Sequence, residues 1–386
     1  MARGQGEGSI FKRADGLWVG RIELPGRDGE RRRKQKASRD KAVIVKWLAD
    51  QRQQLGQRGD LPTSSPLAKD WLPYWLEKIA APRVRPNTWQ HYEHSIRLYA
   101  IPSLGSTRMD RITTAHLRRM AENITTKNLS PTTALHAHRA MAKALEDATR
   151  EGVVGRNVAK LMDAPKRAAT DALALTVEEA VAVIGEVVPA LEAEEYDPLP
   201  ALWATYLLTA ARRGEILGLE LDRVSDFLDL SWQMQRIKPG VPVPDDYERR
   251  SVKGGLWLVR PKTSSGWRAI PLVEPLKTLL KQHIERSAPN PYGLLFVDER
   301  GEPLDPNVTT NLWRQWRDAR ELTKAKLHGL RHTTIDLLYE AGVPEDIIEE
   351  IAGHSQRSVT RGYKTPTKMA RRTEAMKALS ALLTKK

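Results

Sequence analysis

No cysteine occurs among the 386 residues. Disulfides, a thiolate nucleophile and Cys-ligated zinc are therefore excluded, and any covalent chemistry has to run through another nucleophile. No stretch approaches the roughly 18 apolar residues of a membrane span, and the N-terminal MARGQGEGSI lacks the apolar segment of a secretory signal. Neither membrane insertion nor secretion is indicated, and the expected location is the cytoplasm. No internal repeat of fixed period and no low-complexity tract is found. What is abundant is positive charge: 62 Lys and Arg against 48 Asp and Glu give a formal net charge of +14. A basic surface concentrates phosphate by long-range attraction and counterion release, which points to a polyanionic partner. Solvated basic faces on a protein with no such partner produce the same sum. The length accommodates two or three domains, since a domain holds about 100–200 residues.

The pattern along the chain predicts an α+β multidomain protein. Ser9–Lys12, Leu17–Leu24 and Glu30–Lys36, separated by turns at Asp15-Gly16 and Gly26 to Gly29, read as a small three-stranded sheet, with a helix over Arg39–Gln53. The third strand carries Arg31, Arg32, Arg33, Lys34 and Lys36. A strand loaded in this way can lie in a DNA groove, or it can be a charged edge that resists aggregation. Residues 57–65 (QRGDLPTSS) read as a linker. From 66 to 164 the pattern is helical, opened by Trp71, Leu72, Trp75 and Leu76, with start signals at Asn87-Thr88, Thr113-Thr114 and Ser130-Pro131. His91 and His94, without a third ligand, read as surface or DNA-facing residues rather than a metal site.

A second break at 165–172 precedes a mainly helical domain with a small antiparallel sheet, residues 173–386. Thr176 starts a helix through about Val187, and the apolar run Leu199–Thr209 reads as buried. Leu256–Arg260 and Trp267–Leu272 read as the arms of a β-hairpin with Lys262 in its turn. Tyr339, among Ile335, Leu337 and Leu338, reads as a core residue. The helix Lys368–Leu383 carries a stripe of Met376, Leu379 and Leu383 that suits either a neighbouring protomer or its own domain.

Four short motifs in this last domain collect the groups that a phosphodiester transfer needs. In Thr209-Ala210-Ala211-Arg212-Arg213-Gly214-Glu215 the Arg212 and Glu215 side chains are one helical turn apart, so the carboxylate can hold a guanidinium aimed at a phosphate. A structural ion pair has the same spacing. Lys262 can protonate a leaving oxygen, which an arginine cannot do; a turn lysine is equally ordinary. His328-Gly329-Leu330-Arg331-His332 puts an acid/base group three residues from a phosphate clamp. In Ala352-Gly353-His354-Ser355 the glycine can end one helix and Ser355 can cap another, and Tyr363 follows His354 by nine residues. A phenol with a pKa of about 10 attacks only among cations and with an acceptor for its proton. Tyr363, between Gly362 and Lys364, suits an exposed nucleophile.

The joint order Arg-x-x-Glu, Lys, His-x-x-Arg, Gly-His, Tyr resembles the tyrosine recombinase family, of which temperate-phage integrases are members. LGSTRMDRITTAHL and LSPTTALHAHRAMAKALEDATREGVVGRN also look like that family's helical core-binding domain, and the N-terminal sheet is similar to an arm-type DNA-binding domain. The resemblance implies an arm domain at 1–56, a core-binding domain at 66–164 and a catalytic domain at 173–386. It implies Tyr363 as the nucleophile that forms a 3′-phosphotyrosine, with Arg212, Lys262, His328, Arg331 and His354 as activating residues and Glu215 in support. It further implies double-stranded DNA attachment sites, a homotetramer on DNA, host DNA-bending and directionality factors, a place in the bacterial cytosol or nucleoid, and no cofactor or metal. Ala210 stands where the family commonly has glycine, Thr365 where a histidine is frequent, and the 50-residue gap from Arg212 to Lys262 is long, with a Pro-containing stretch from Lys238 to Asp246. None of these removes a catalytic group. Two alternatives share the pattern: a non-catalytic DNA-binding regulator that keeps the fold, and a type IB topoisomerase-like relaxing enzyme.

Overall fold

The computed structural model describes residues 8–27, 30–58, 65–168, 173–261, 267–353 and 366–384. Lys262, His354, Ser355 and Tyr363, with the side chain of Arg31, lie outside the described part. The chain divides into two compact units, residues 1–169 with 242–244, and 170–241 with 245–386. The mixed helix-and-sheet architecture agrees with the sequence reading.

In the first unit β1 (Ser9–Lys12), β2 (Trp18–Arg27) and β3 (Glu30–Ser38) form an antiparallel sheet in that order. Helix α1 (Lys41–Arg58) covers it, and Ile22, Leu24 and Leu48 make the small core. Side chains alternate across a strand, so the β3 cations divide between two faces. Lys34 lies opposite Ile22 and Arg32 opposite Leu24, both half-buried, whereas Arg33 opposite Glu23 is exposed.

The rest of the unit is helical. Helix α2 (Ala68–Tyr74) runs on through a π-turn at Trp75–Ala80, and α3 (Pro86–Ser95) through another at Ile96–Ala100 into α4 (Ile101–Leu104). They are followed by α5 (Thr114–Thr125) and α6 (Pro131–Arg150). Thr113 and Ser130 cap α5 and α6 as their sequences require. The start expected at Asn87-Thr88 moves to Pro86, because a proline at the first helical position has no amide to leave unbonded. Small residues of α6, among them Ala137, Ala144 and Ala148, leave room for the buried indole of Trp75, whose Nε1–H donates to Asp147 at 2.9 Å.

The second unit starts with α7 (Val177–Gly185), capped reciprocally by Thr176 and Glu179, then α8 (Val187–Glu192), the fully buried α9 (Leu199–Leu207) and the short α10 (Arg213–Leu217). Five short strands follow: β4 (Phe227–Asp229), β5 (Gln233–Arg236), β6 (Arg249–Lys253), β7 (Leu256–Val259) and β8 (Ala269–Pro271). Helices α11 (Leu276–Arg286), α12 (Pro306–Asp318), α13 (Leu327–Glu340), α14 (Glu345–Ala352) and α15 (Pro366–Thr384) complete it.

Two expectations are corrected, and one open choice is decided. The hairpin between Leu256–Arg260 and Trp267–Leu272 does not form: β7 is the central strand of a sheet ordered β5-β7-β6, while β8 pairs with β4. The true hairpin joins β6 to β7 through Gly254-Gly255, both at positive φ (54° and 82°), the backbone that a two-residue turn of this hand demands. Tyr339 is not core but half exposed, because it sits on the solvent side of α13 while Leu337 and Leu338 turn inward. Met376, Leu379 and Leu383 of α15 are buried in their own unit, where the helix packs on α13, α7 and β8, so the stripe has no side left for a neighbour.

Candidate active site

The site grows from the end of α9. Thr209 ties its hydroxyl back to the Thr205 carbonyl at 2.6 Å, and the chain then turns through Ala210 in the left-handed region at φ 51°. Ala210 is fully buried. That turn aims its carbonyl at Arg331, whose Nη1–H donates to it at 2.6 Å. Arg212 then caps α10. Its main-chain N–H donates to Glu215 Oε2 at 2.7 Å and its Nη1–H to Glu215 Oε1 at 2.8 Å. Helix α10 lies directly on β5 because Gly214 and Gly218 bear no side chain; a Cβ at either would come within 2.6 Å of the Met234 backbone.

Arginine 331 comes from the first turns of α13. That helix is held by Thr334, which donates to the carbonyls of Leu207 and Leu330, and by the Thr333 hydroxyl, which accepts from the Leu175 amide at 2.8 Å. Gly329 allows the approach, since a Cβ there would sit 2.6 Å from the Leu173 carbonyl oxygen. His328 is exposed in the first turn, its ring edge-on to His332 with centroids 5.1 Å apart.

A third guanidinium, which the motif reading passed over, completes the centre. Arg268 grips Glu215 with both terminal nitrogens, Nη1 to Oε1 at 2.9 Å and Nη2 to Oε2 at 2.8 Å. Its Nε–H donates to the Ile351 carbonyl at 2.6 Å. Arg331 Nη2–H donates to the next carbonyl, Ala352, and Arg212 Nη2–H to the one after, Gly353, at 2.7 Å. Gly353 ends α14 at φ 67°, so the three carbonyls are those a helix leaves unpaired at its C-terminus, its negative end. A signal for Arg268 was present: in the expected strand Trp267–Leu272 it shares a face with Ile270 and Leu272, which places a charge among apolar residues and demands a buried partner.

The electrostatics follow. Burial alone raises the pKa of Glu215, but the ion pairs and hydrogen bonds of Arg268 and Arg212 outweigh it and hold the carboxyl at about 2. Arg331 is pressed down to about 9, first by burial and then by the neighbouring Arg268 and Arg212. Among the described residues its bonds go to carbonyls alone. The centre thus sets three guanidinium groups against one carboxylate, an excess of positive charge that an entering anion would neutralise. The segment that carries His354 and Tyr363 begins directly after Gly353.

The residues on either side of 262–266 are tied together. The Arg260 guanidinium lies 4.2 Å from the Trp232 ring centroid and 4.8 Å from that of Trp267, and Arg250 stacks on Trp232 at 4.3 Å. The β3 cations belong to the first unit. There burial lowers the pKa of Lys34, with Asp110 opposing, while Arg33 and Lys36 are exposed. Tyr339, which the sequence reading placed in the core, has its pKa raised by desolvation and by Glu345 and Glu349. A carboxylate-flanked phenol is a poor phosphate nucleophile, so its environment disqualifies it where burial does not.

Residues 246–369 match the model of the phage integrase family, and residues 69–124 match that of the phage integrase N-terminal SAM-like domain. An integrase of Saccharopolyspora erythraea is 24% identical over 93% of this chain and 92% of its own length. An integrase of Streptomyces ambofaciens is 29% identical over 77% of this chain and 74% of its own. Among solved structures, the Tn1549 transposon integrase in complex with transposon right end DNA superposes with a TM-score of 0.61 at 20% identity, covering 82% of this chain and all of that one. A lambda integrase tetramer bound to a Holliday junction gives 0.54 at 16% identity, over 91% and 98% of the two chains. These relatives are named integrases, and the regulator reading gains nothing from them. Residues 246–369 belong by this match to the phage integrase family, and the relatives of the chain are integrases and tyrosine recombinases.

Proposed function

We propose that this recombinase cuts and rejoins DNA through Tyr363, integrating or excising a mobile element. Tyr363 attacks the scissile phosphate to give a 3′-phosphotyrosine and a free 5′-hydroxyl. Arg212 and Arg331 stabilise the charge on the non-bridging oxygens, and His354 adds a hydrogen bond. Lys262 protonates the departing 5′-oxygen, His328 manages the tyrosine proton and Glu215 supports Arg212. The 5′-hydroxyl of a partner strand reverses the step, so one ester replaces another without ATP or a divalent metal. The observation that carries this reading is the arginine-rich centre gathered on the last carbonyls of α14, immediately before the segment that bears His354 and Tyr363.

Residues 1–56 read as an arm-binding domain, with Arg31, Arg32, Arg33, Lys34 and Lys36 at DNA. Residues 66–164 form the core-binding domain and 173–386 the catalytic domain, joined by linkers at 57–65 and 165–172. The partners are double-stranded attachment sites and three further copies on DNA, with host bending and directionality factors, in the bacterial cytosol. The test is covalent trapping on a nicked duplex carrying the element's own attachment site, in EDTA, followed on a denaturing gel. Wild type gives a shifted band. Tyr363→Phe binds the duplex equally well and gives none. A band that persists in the variant excludes Tyr363 as the nucleophile.

A further inference from the structure

Arg212, Arg331 and Arg268 converge on the end of α14, yet they are not equivalent. The Arg212 side chain is 37% exposed and, among the described residues, spends two of its donors on Glu215 and Gly353, with others available to a ligand. The Arg268 side chain is 0% exposed, and its Nε, Nη1 and Nη2 all point inward, to Ile351 and to the two oxygens of Glu215. It cannot meet a phosphate. Glu215 accepts four hydrogen bonds, two from Arg268 and two from Arg212. A carboxylate held only by Arg212 could pivot with it; a carboxylate gripped in the plane of a second guanidinium cannot. The Ile351 bond then fixes that fork to α14, one residue before the carbonyl that holds Arg331 and two before the one that holds Arg212.

We infer that Arg268 is a positioning residue for strand cleavage: it orients Arg212 through Glu215 and sets the end of α14, and so the start of the chain that delivers His354 and Tyr363. The inference rests on the recombinase reading and adds to it a residue that never touches DNA. Two features separate this role from simple stabilisation. Positioning needs three donors in a fixed fork, which lysine does not have. It also acts through Arg212, so the two residues must be energetically coupled.

The experiment measures single-turnover covalent cleavage with the full chain on the same nicked duplex, at saturating protein, with DNA affinity and thermal unfolding followed in parallel. Arg268→Lys keeps the buried charge; it should stay folded and bind DNA as wild type does, but cleave about 10- to 100-fold more slowly, as slight misplacement of a reacting group does. In an Arg212→Lys background the same substitution should cost no more than about 2-fold further. Arg268→Met combined with Glu215→Gln removes both buried charges together, which a fold tolerates far better than losing one; it should cleave no faster than Arg268→Lys. A wild-type rate in either Arg268 variant, or a defect that multiplies in full with Arg212→Lys, overturns the inference while leaving the recombinase reading intact. No adduct from wild-type protein sinks both.

Discussion

At the scale of single residues, the sequence departure at position 210 acquires a cost. Ala210 occupies left-handed backbone, which burdens an L-residue with a side chain by about 1–2 kcal/mol, and it does so to present its carbonyl to Arg331. Ala210→Gly should therefore raise unfolding stability by about 0.5 kcal/mol, since the greater freedom of glycine in the unfolded chain cancels part of the relief. Urea titration of the two proteins measures it, and a less stable variant would show that the buried methyl outweighs the strain. The acid role proposed for Lys262 rests on its chemistry. Lys262→Ala should slow cleavage, and a 5′-thio leaving group, which departs without a proton, should restore the rate; a variant that stays slow on the thio substrate removes Lys262 from the acid role. The pairing of Arg212 with Glu215 was legible from a three-residue spacing. Arg268 was less so, because its partner lies 53 positions away and only the fold brings the two together.

Elements place these residues, and small side chains decide how closely elements approach. Helix α13 lies against the backbone at Leu173 because position 329 is glycine. Gly329→Ala would drive its Cβ to 2.6 Å from a backbone carbonyl oxygen, too close for either to stay in place. The first turn of α13 must then shift, and Arg331 with it. The expected result is a loss of about 2 kcal/mol or more in stability together with slower cleavage; a variant that is less stable yet cleaves normally would show that Arg331 is placed independently of this contact. Caps and periodicity made most helices readable: Thr176 with Glu179, Ser130 with Pro131 and Gly353 all act where the sequence puts them. Strand pairing was harder. Leu256–Val259 and Ala269–Pro271 alternate like two arms of one hairpin, but the Gly254-Gly255 turn commits β7 to β6, and β8 is left to pair with β4. The two-residue glycine turn outranked the longer connection to β8.

For the whole molecule, pH reports on the buried network of the second unit. His283 lies between Leu295 and Tyr196: its Nε2–H donates to the Leu295 carbonyl at 2.8 Å, so Nδ1 faces the Tyr196 hydroxyl at 2.5 Å as acceptor. Burial depresses its pKa to about 4, with the Leu295 bond opposing. The unfolded chain takes up this proton near pH 6.5 and the folded one only near 4. Stability is therefore complete above the higher value and falls as the pH drops through that window, by about 3 kcal/mol at most. Glu215, depressed to about 2, adds a second loss below about pH 4.5. Unfolding midpoints measured between pH 7 and pH 4 should decline in wild type and much less in His283→Gln; parallel curves would mean that the imidazole is not held neutral. The amino-acid sequence by itself determined the α+β class, the basic character, several helix starts and the order of the reactive groups, because local hydrogen bonding, periodicity and residue chemistry act over a few positions. Only the tertiary structure decided which strands pair, that α15 packs on its own unit, and that Arg212, Arg268 and Arg331 meet on three consecutive carbonyls. Those outcomes depend on contacts between segments tens to more than a hundred residues apart, and the packing of the whole second unit selects them.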